Sequence, residues 1–157
     1  MDVSPDMLRE ALHPLQEHAL LIHPQLICAN ITEVSFKDES FDLVYSIGVL
    51  GEFLPFDSYV CEKIARMLKT KGKFVFTVVS NESPQTTSLK RRAAERLLPF
   101  LLVRLRLVIK ARLRALSLSE NELMSVMNKA RLYRHTMKRR QSPTSGRIHF
   151  VCTAYKD

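Results

Sequence analysis

Glycine is scarce in this chain: four of 157 residues, at Gly48, Gly51, Gly72 and Gly146. No three of them form a G-x-G-x-x-G loop, and none stands in a G-x-x-x-x-G-K frame. The sequence therefore holds no glycine-rich cradle for a phosphate or dinucleotide. Tryptophan is absent. No stretch has the ~18 consecutive apolar residues of a membrane-spanning helix, and no export signal is expected, since no basic-then-apolar segment opens the sequence. Cysteine is sparse too. Cys28, Cys61 and Cys152 are odd in number and widely spaced, with no C-x-x-C pair. That excludes a disulfide scaffold and a zinc ribbon, and leads us to expect reduced thiols in a cytoplasmic protein. His13, His18 and His23 recur every five residues, but a five-residue step turns a helix by about 500°, so their rings would diverge. Pro14 and Pro24 also interrupt the segment, and no metal site is expected. His135 and His149 stand alone.

What is present suits one folded domain: 46% hydrophobic residues, 25% charged residues and a formal net charge of +8. The excess of Lys and Arg is local. Residues 90–114 hold nine of them against one Glu, and the rest of the chain balances, fifteen basic against fifteen acidic. An acidic partner, such as a nucleic acid or an anionic membrane, would therefore concern that stretch.

Ser4 and Pro5 begin a helix with an apolar stripe at Leu8, Ala11, Leu12 and Leu15, which Pro14 should end or kink near Leu12. Gln25 to Ala29 reads as a short strand, burying Cys28, and Phe41 to Ile47 as a second. Asp57 caps a helix running to about Lys69, and Lys71-Gly72-Lys73 reads as its exit turn. Phe74 to Val79 is nearly continuous in its apolarity, as in a strand covered on both faces. Ser119 and Glu122 form a capping box ahead of a helix carrying Leu123, Val126, Met127 and Ala130. The loop from Gln141 to Gly146 joins residues 132–140 to a last strand, Ile148 to Tyr155. Helices alternating with strands mean an α/β fold with a largely parallel sheet.

Three stretches carry a resemblance: MDVSPDMLREA, CANITEVSFKDESFDLVYSIGVL and EKIARMLKTKGKFVFTVVS. In this order they resemble class I S-adenosylmethionine-dependent methyltransferases, from the end of the second strand to the C-terminus. The resemblance implies a Rossmann-like sheet, mostly parallel with an antiparallel C-terminal strand. The family's first strand and helix, with their glycine-rich motif, lack a counterpart. Residues 1–157 are thus expected to form one N-terminally incomplete domain with a basic helical insertion or lid at about 85–117. A partner chain is one way to complete its sheet.

The resemblance also implies roles. Asp2 would accept hydrogen bonds from the ribose hydroxyls of S-adenosylmethionine, and Val3 and Met7 would touch the adenine. Asn30 stands where the family has an Asp facing the adenine amino group, with the backbone N–H of Ile31 beside it. An Asn keeps the acceptor and loses the charge, so binding should weaken modestly. Ser46 to Gly48, at the end of a strand, would lie beside the methionine part. The implied reaction is methyl transfer to a small-molecule or lipid-like acceptor, weak or absent in this chain alone. Glu52 is the nearby candidate base, its favoured reading being a solvated loop acid. The alternative function is a non-catalytic binding module whose basic helix, 90–114, meets an anionic membrane. Nucleic acid fits that helix less well, because aromatic residues are not regularly interleaved with its arginines, Phe100 being the one aromatic in the stretch.

Overall fold

Capping chemistry sets where the helices begin. Ser4 Oγ accepts from the Met7 backbone N–H at 3.3 Å, and the Ser4 carbonyl accepts from the Leu8 N–H at 3.2 Å. Pro5, which has no N–H to leave unsatisfied, stands first in α1 (Pro5–Glu17). In the computed structural model, which describes residues 1–17, 24–82, 116–143 and 146–157, the chain forms two compact units, Met1–Phe36 and Lys37–Asp157. The basic stretch 90–114, most of the 85–117 region, His18 and His23 lie outside the described residues.

Two expectations fail in the first unit. The helix does not end near Leu12 but runs through Pro14 to Glu17. A proline removes one backbone hydrogen bond, and the turns on either side hold without it. The strand expected at Gln25 to Ala29 reduces to a single parallel bridge between Asp2 and Cys28. The chain turns into α1 straight after Asp2, so further pairing has no partner. Cys28 is correspondingly exposed and not a buried hydrophobe.

The second unit is a four-stranded mixed sheet with helices on one face. In chain order it holds β1 (Phe41–Ser46), α2 (Ser58–Met67), β2 (Leu68–Val79), α3 (Glu120–Lys129), β3 (Leu132–Gln141) and β4 (Ile148–Lys156). The strand order is β1-β2-β4-β3. β1 and β2 are parallel, and the other two pairs are antiparallel. The named strands are therefore not mostly parallel, as the resemblance implied. Only the β1–α2–β2 crossover demands parallel pairing, whereas the short loop after Gln141 permits a hairpin.

Asp57 caps α2 as the sequence suggests, its Oδ1 accepting from the Val60 N–H at 3.0 Å. Ser119 and Glu122 complete the capping box of α3. The expected exit turn at Lys71-Gly72-Lys73 is instead part of β2. Its turn character survives as an irregularity: Phe41 pairs with Leu68 but Leu43 pairs with Lys73, so β2 carries extra residues opposite β1. Lys71 takes up the bend with φ of 64°.

Among the described residues of this unit, the core lies on one face. Phe74, Phe76 and Val78 pair with Ala154, Cys152 and Phe150, and all six are buried. Phe74 and Phe76 stack at 4.3 Å, and Phe56 closes on Phe76 at 4.8 Å. Val60, Ile64, Leu123 and Met127 bring α2 and α3 onto this face. Lys73, Val75 and Thr77 on β2, with Tyr155, Thr153 and Val151 on β4, are only half-buried. Among the described residues of this unit, the apolar run of β2 thus does not mark a strand covered on both faces. Its side chains alternate between a filled layer and an open one.

Candidate functional site

The first unit gathers five of the residues singled out above. Across the Asp2–Cys28 bridge, the Asp2 N–H donates to the Ile27 carbonyl (3.2 Å) and the Ala29 N–H to the Asp2 carbonyl (3.0 Å). Parallel segments run the same way, so Asp2-Val3 and Asn30-Ile31 emerge at the same end. Asp2 Oδ1 accepts from the Ser4 N–H at 2.8 Å, and Asn30 Oδ1 from the Thr32 N–H at 3.0 Å. Each bond holds a turn in place. Neither exhausts its acceptor: a carboxylate has about four lone-pair sites and an amide oxygen two. Val3 and Met7 are 66% and 59% exposed. A half-buried carboxylate is thus flanked by two open apolar side chains.

Ser46 and Gly48 belong to the second unit, where β1 ends. Gly48 has φ of 71°, and its N–H donates to Thr77 Oγ1 at 2.9 Å on the neighbouring strand. The loop then folds tightly on itself. The Val49 carbonyl accepts from the N–H groups of Glu52, Phe53 and Leu54, and the Gly51 N–H donates to the Leu54 carbonyl at 2.7 Å. Gly51, with φ of 72°, sits so close to β2 that a Cβ there would come within 2.9 Å of Val78 Cγ1 and 3.3 Å of the Val79 nitrogen.

That anchored turn fixes Glu52, and the solvated-acid reading of it is wrong. Its side chain is only 18% exposed. Its Oε2 lies 3.7 Å from Arg147 Nη1 and its Oε1 lies 3.6 Å from His149 Nδ1. His149 is therefore not alone. It stands at the start of β4, opposite Val79, and antiparallel pairing brings it to the carboxyl end of β2. Nothing near His149 in the sequence signals this, because the neighbour is set by register and not by spacing.

The thiols offer no nucleophile in this unit. Burial, with the charges of Glu62 and Asp57 adding to it, pushes Cys61 up to about 12. Burial, reinforced by Glu120, does the same to Cys152. Among the described residues, no three His, Cys, Asp or Glu side chains are placed to hold a metal ion, and no helix is long and apolar enough to cross a membrane.

A crossover-linked parallel pair, extended by an antiparallel strand and its hairpin partner, is a fold that this chain shares with solved S-adenosylmethionine-dependent methyltransferases. Residues 1–76 match the methyltransferase domain family. Over 59 residues the chain is 47% identical to an uncharacterised protein of Methanocaldococcus jannaschii, a match covering 36% of this chain and 24% of that protein. In structure it is similar to a protein of Bordetella parapertussis, with a TM-score of 0.66 and 16% identity over 98% of this chain and 51% of that one. It is also similar to phosphoethanolamine N-methyltransferase 2 of Haemonchus contortus, solved with S-adenosylmethionine: TM-score 0.61, 12% identity, 98% of this chain and 42% of that one. At these identities the structural likeness shows the fold. The chain spans about a quarter of the curated relative and about half of the first of these structures.

Proposed function

We propose that this chain binds S-adenosylmethionine and serves methyl transfer to a small-molecule or lipid-like acceptor in the cytoplasm. One observation carries the reading: the Asp2–Cys28 bridge brings a carboxylate with spare acceptor capacity, two open apolar side chains and Asn30 to the same end of the first unit. Those groups fit a nucleoside. Asp2 would accept from the ribose hydroxyls, Val3 and Met7 would flank the adenine, and Asn30 with the Ile31 N–H would meet its polar edge. For Ser46 and Gly48, in the second unit, a role beside the methionine part rests on the resemblance alone. The cofactor, when bound, supplies a methyl group already activated on a sulfonium. Positioning then provides much of the rate. Where the acceptor must shed a proton, Glu52, held in orientation by Arg147 and His149, is the candidate base of the second unit.

Calorimetry with S-adenosylhomocysteine tests the reading. The chain should bind, and Asp2→Ala should weaken binding by tenfold or more, since hydrogen bonds to a charged group contribute about 1.5–3 kcal/mol each. Asn30→Asp should tighten it modestly. Absence of binding by the unaltered chain, or equal binding by Asp2→Ala with unchanged circular dichroism, would overturn it.

A further inference from the structure

The balance of charge outside 90–114 is a balance of totals only. Residues 1–82 hold seven basic and twelve acidic side chains, whereas residues 123–156 hold eight basic and no acidic ones. That second set is concentrated on β3, an edge strand of the sheet among the described residues. Three of the eight have acidic partners: Arg139 with Glu82, Arg147 with Glu52 and Lys156 with Glu39. Lys129, Arg131, Arg134, Lys138 and Arg140 are all exposed and have none among the described residues.

Register places these charges beside aromatic rings. Lys138 and Arg140 pair with Val151 and His149, so both stand on the open face of the sheet, about 6.6 Å apart along the strand. Tyr133 pairs with Tyr155, and Tyr155 with Lys73, which puts both rings on that same face. Lys73 Nζ already lies 5.8 Å from the Tyr155 ring centre. Tyr133 is the one exposed large hydrophobic side chain among the described residues of α3, β3 and β4. In sequence Tyr133 stands between Arg131 and Arg134, and across the strands the sheet adds Tyr155.

We propose that the β3 side of the open sheet face binds single-stranded nucleic acid. Arg131, Arg134, Lys138 and Arg140 meet the phosphates, and Tyr133 takes a base by stacking. Every base offers a ring face, so this binding is tolerant of sequence. An anionic membrane fits less well, because it rewards apolar side chains that can immerse, and this edge exposes none apart from the tyrosine. Addition of an acidic peptide as a further strand is hindered at the register irregularity between Tyr133 and Thr136, where Arg134 has φ of 52°. Cations on an edge strand also keep sheets from pairing edge to edge. That role needs charge alone and makes no use of Tyr133.

The test is fluorescence anisotropy of the full chain with a labelled oligouridylate of about 12 nucleotides, within the usual site sizes for such surfaces, as a function of salt. Neutralising Arg131, Arg134, Lys138 and Arg140 to Gln should flatten the slope of log K against log salt by about 3, from ~0.7 per phosphate contact. The same change should appear when the basic residues of 90–114 have also been replaced by Gln, which separates the two cationic regions. Tyr133→Ala should weaken binding about 5- to 150-fold, the range for one stacked base, while Tyr133→Phe retains it. An unchanged slope in the fourfold variant overturns the proposal. So does full binding by Tyr133→Ala at an unchanged urea midpoint, or tighter binding to phosphatidylserine vesicles than to the oligonucleotide.

Discussion

Replacing Gly51 by alanine would add one methyl group where the loop after β1 rests on the end of β2. Two costs follow. A left-handed backbone, here φ of 72°, disfavours an L-residue by roughly 1–2 kcal/mol. The new Cβ would also lie 2.9 Å from Val78 Cγ1, 3.2 Å from the Leu116 carbonyl oxygen and 3.3 Å from the Val79 nitrogen. Two of these are backbone atoms, and the third belongs to a fully buried β-branched side chain with little rotamer freedom. Overpacking of this kind costs about 1–3 kcal/mol. The alanine recovers some 0.4–1 kcal/mol by restricting the unfolded chain. The net expectation for Gly51→Ala is a loss of about 2–4 kcal/mol. Gly48→Ala is the internal control: φ is 71°, but nothing lies within 4 Å of its Cβ. It should lose only about 0.5–1.5 kcal/mol. Urea unfolding of both variants at 25 °C measures the difference. Adding Val78→Ala to Gly51→Ala should recover part of the steric share, seen as favourable coupling in a double-mutant cycle. Equal losses at the two glycines would refute the argument, for they would mean the loop lifts off β2 freely.

Acid should act on α3 through Glu122, whose carboxyl the Ser119 side chain, and then the Ser119 backbone N–H, holds below the usual 4.5. A carboxyl lowered in the folded state adds stability that is complete above its unfolded pKa and is lost as pH falls through the folded one. The stability difference between the natural chain and Glu122→Gln should therefore shrink as pH drops below about 4.5, seen in urea midpoints from roughly pH 3 to 6; a constant difference would contradict it. Thiol labelling followed by mass spectrometry should find Cys28 reacting promptly in the native protein, with Cys61 and Cys152 reacting only on unfolding. Rapid modification of either buried thiol would show that the core opens readily.

Features whose cause is local were legible in the sequence. The Asp57 cap, the Ser119–Glu122 box, the hairpin after Gln141 and the position of β1 each depend on a few consecutive residues, and each stands as read. What escaped depends on partners distant in the chain. A glycine between lysines reads as a turn, yet Gly72 lies within β2, in the irregular stretch between the Leu68 and Lys73 pairings with β1. An apolar run such as FVFTVV shows that a strand is buried but not on how many faces. Glu52 and His149 meet through the Val79–His149 register, and Tyr155 joins Tyr133 and the cations of β3 only across the β3–β4 pairing. The candidate cofactor residues came from resemblance in ordered motifs. The charges, taken as a sum, concealed an acidic first half and a basic end.

One small bridge has an evolutionary consequence. Ser80 and Leu118 pair in parallel, with the Leu118 N–H donating to the Val79 carbonyl at 3.3 Å and the Asn81 N–H to the Leu118 carbonyl at 3.1 Å. The departure from β2 and the approach to α3 are thereby clamped side by side, like the two poles of a socket. The clamp fixes both ends of whatever sequence runs between them. Doubling the length of such a loop costs about 0.6 kcal/mol in closure entropy, whereas a slip of one residue inside the β3–β4 hairpin would turn every side chain of a strand to the wrong face. The socket is thus where this fold can exchange one segment for another, and acquire a different preference for what it handles, with its core unchanged.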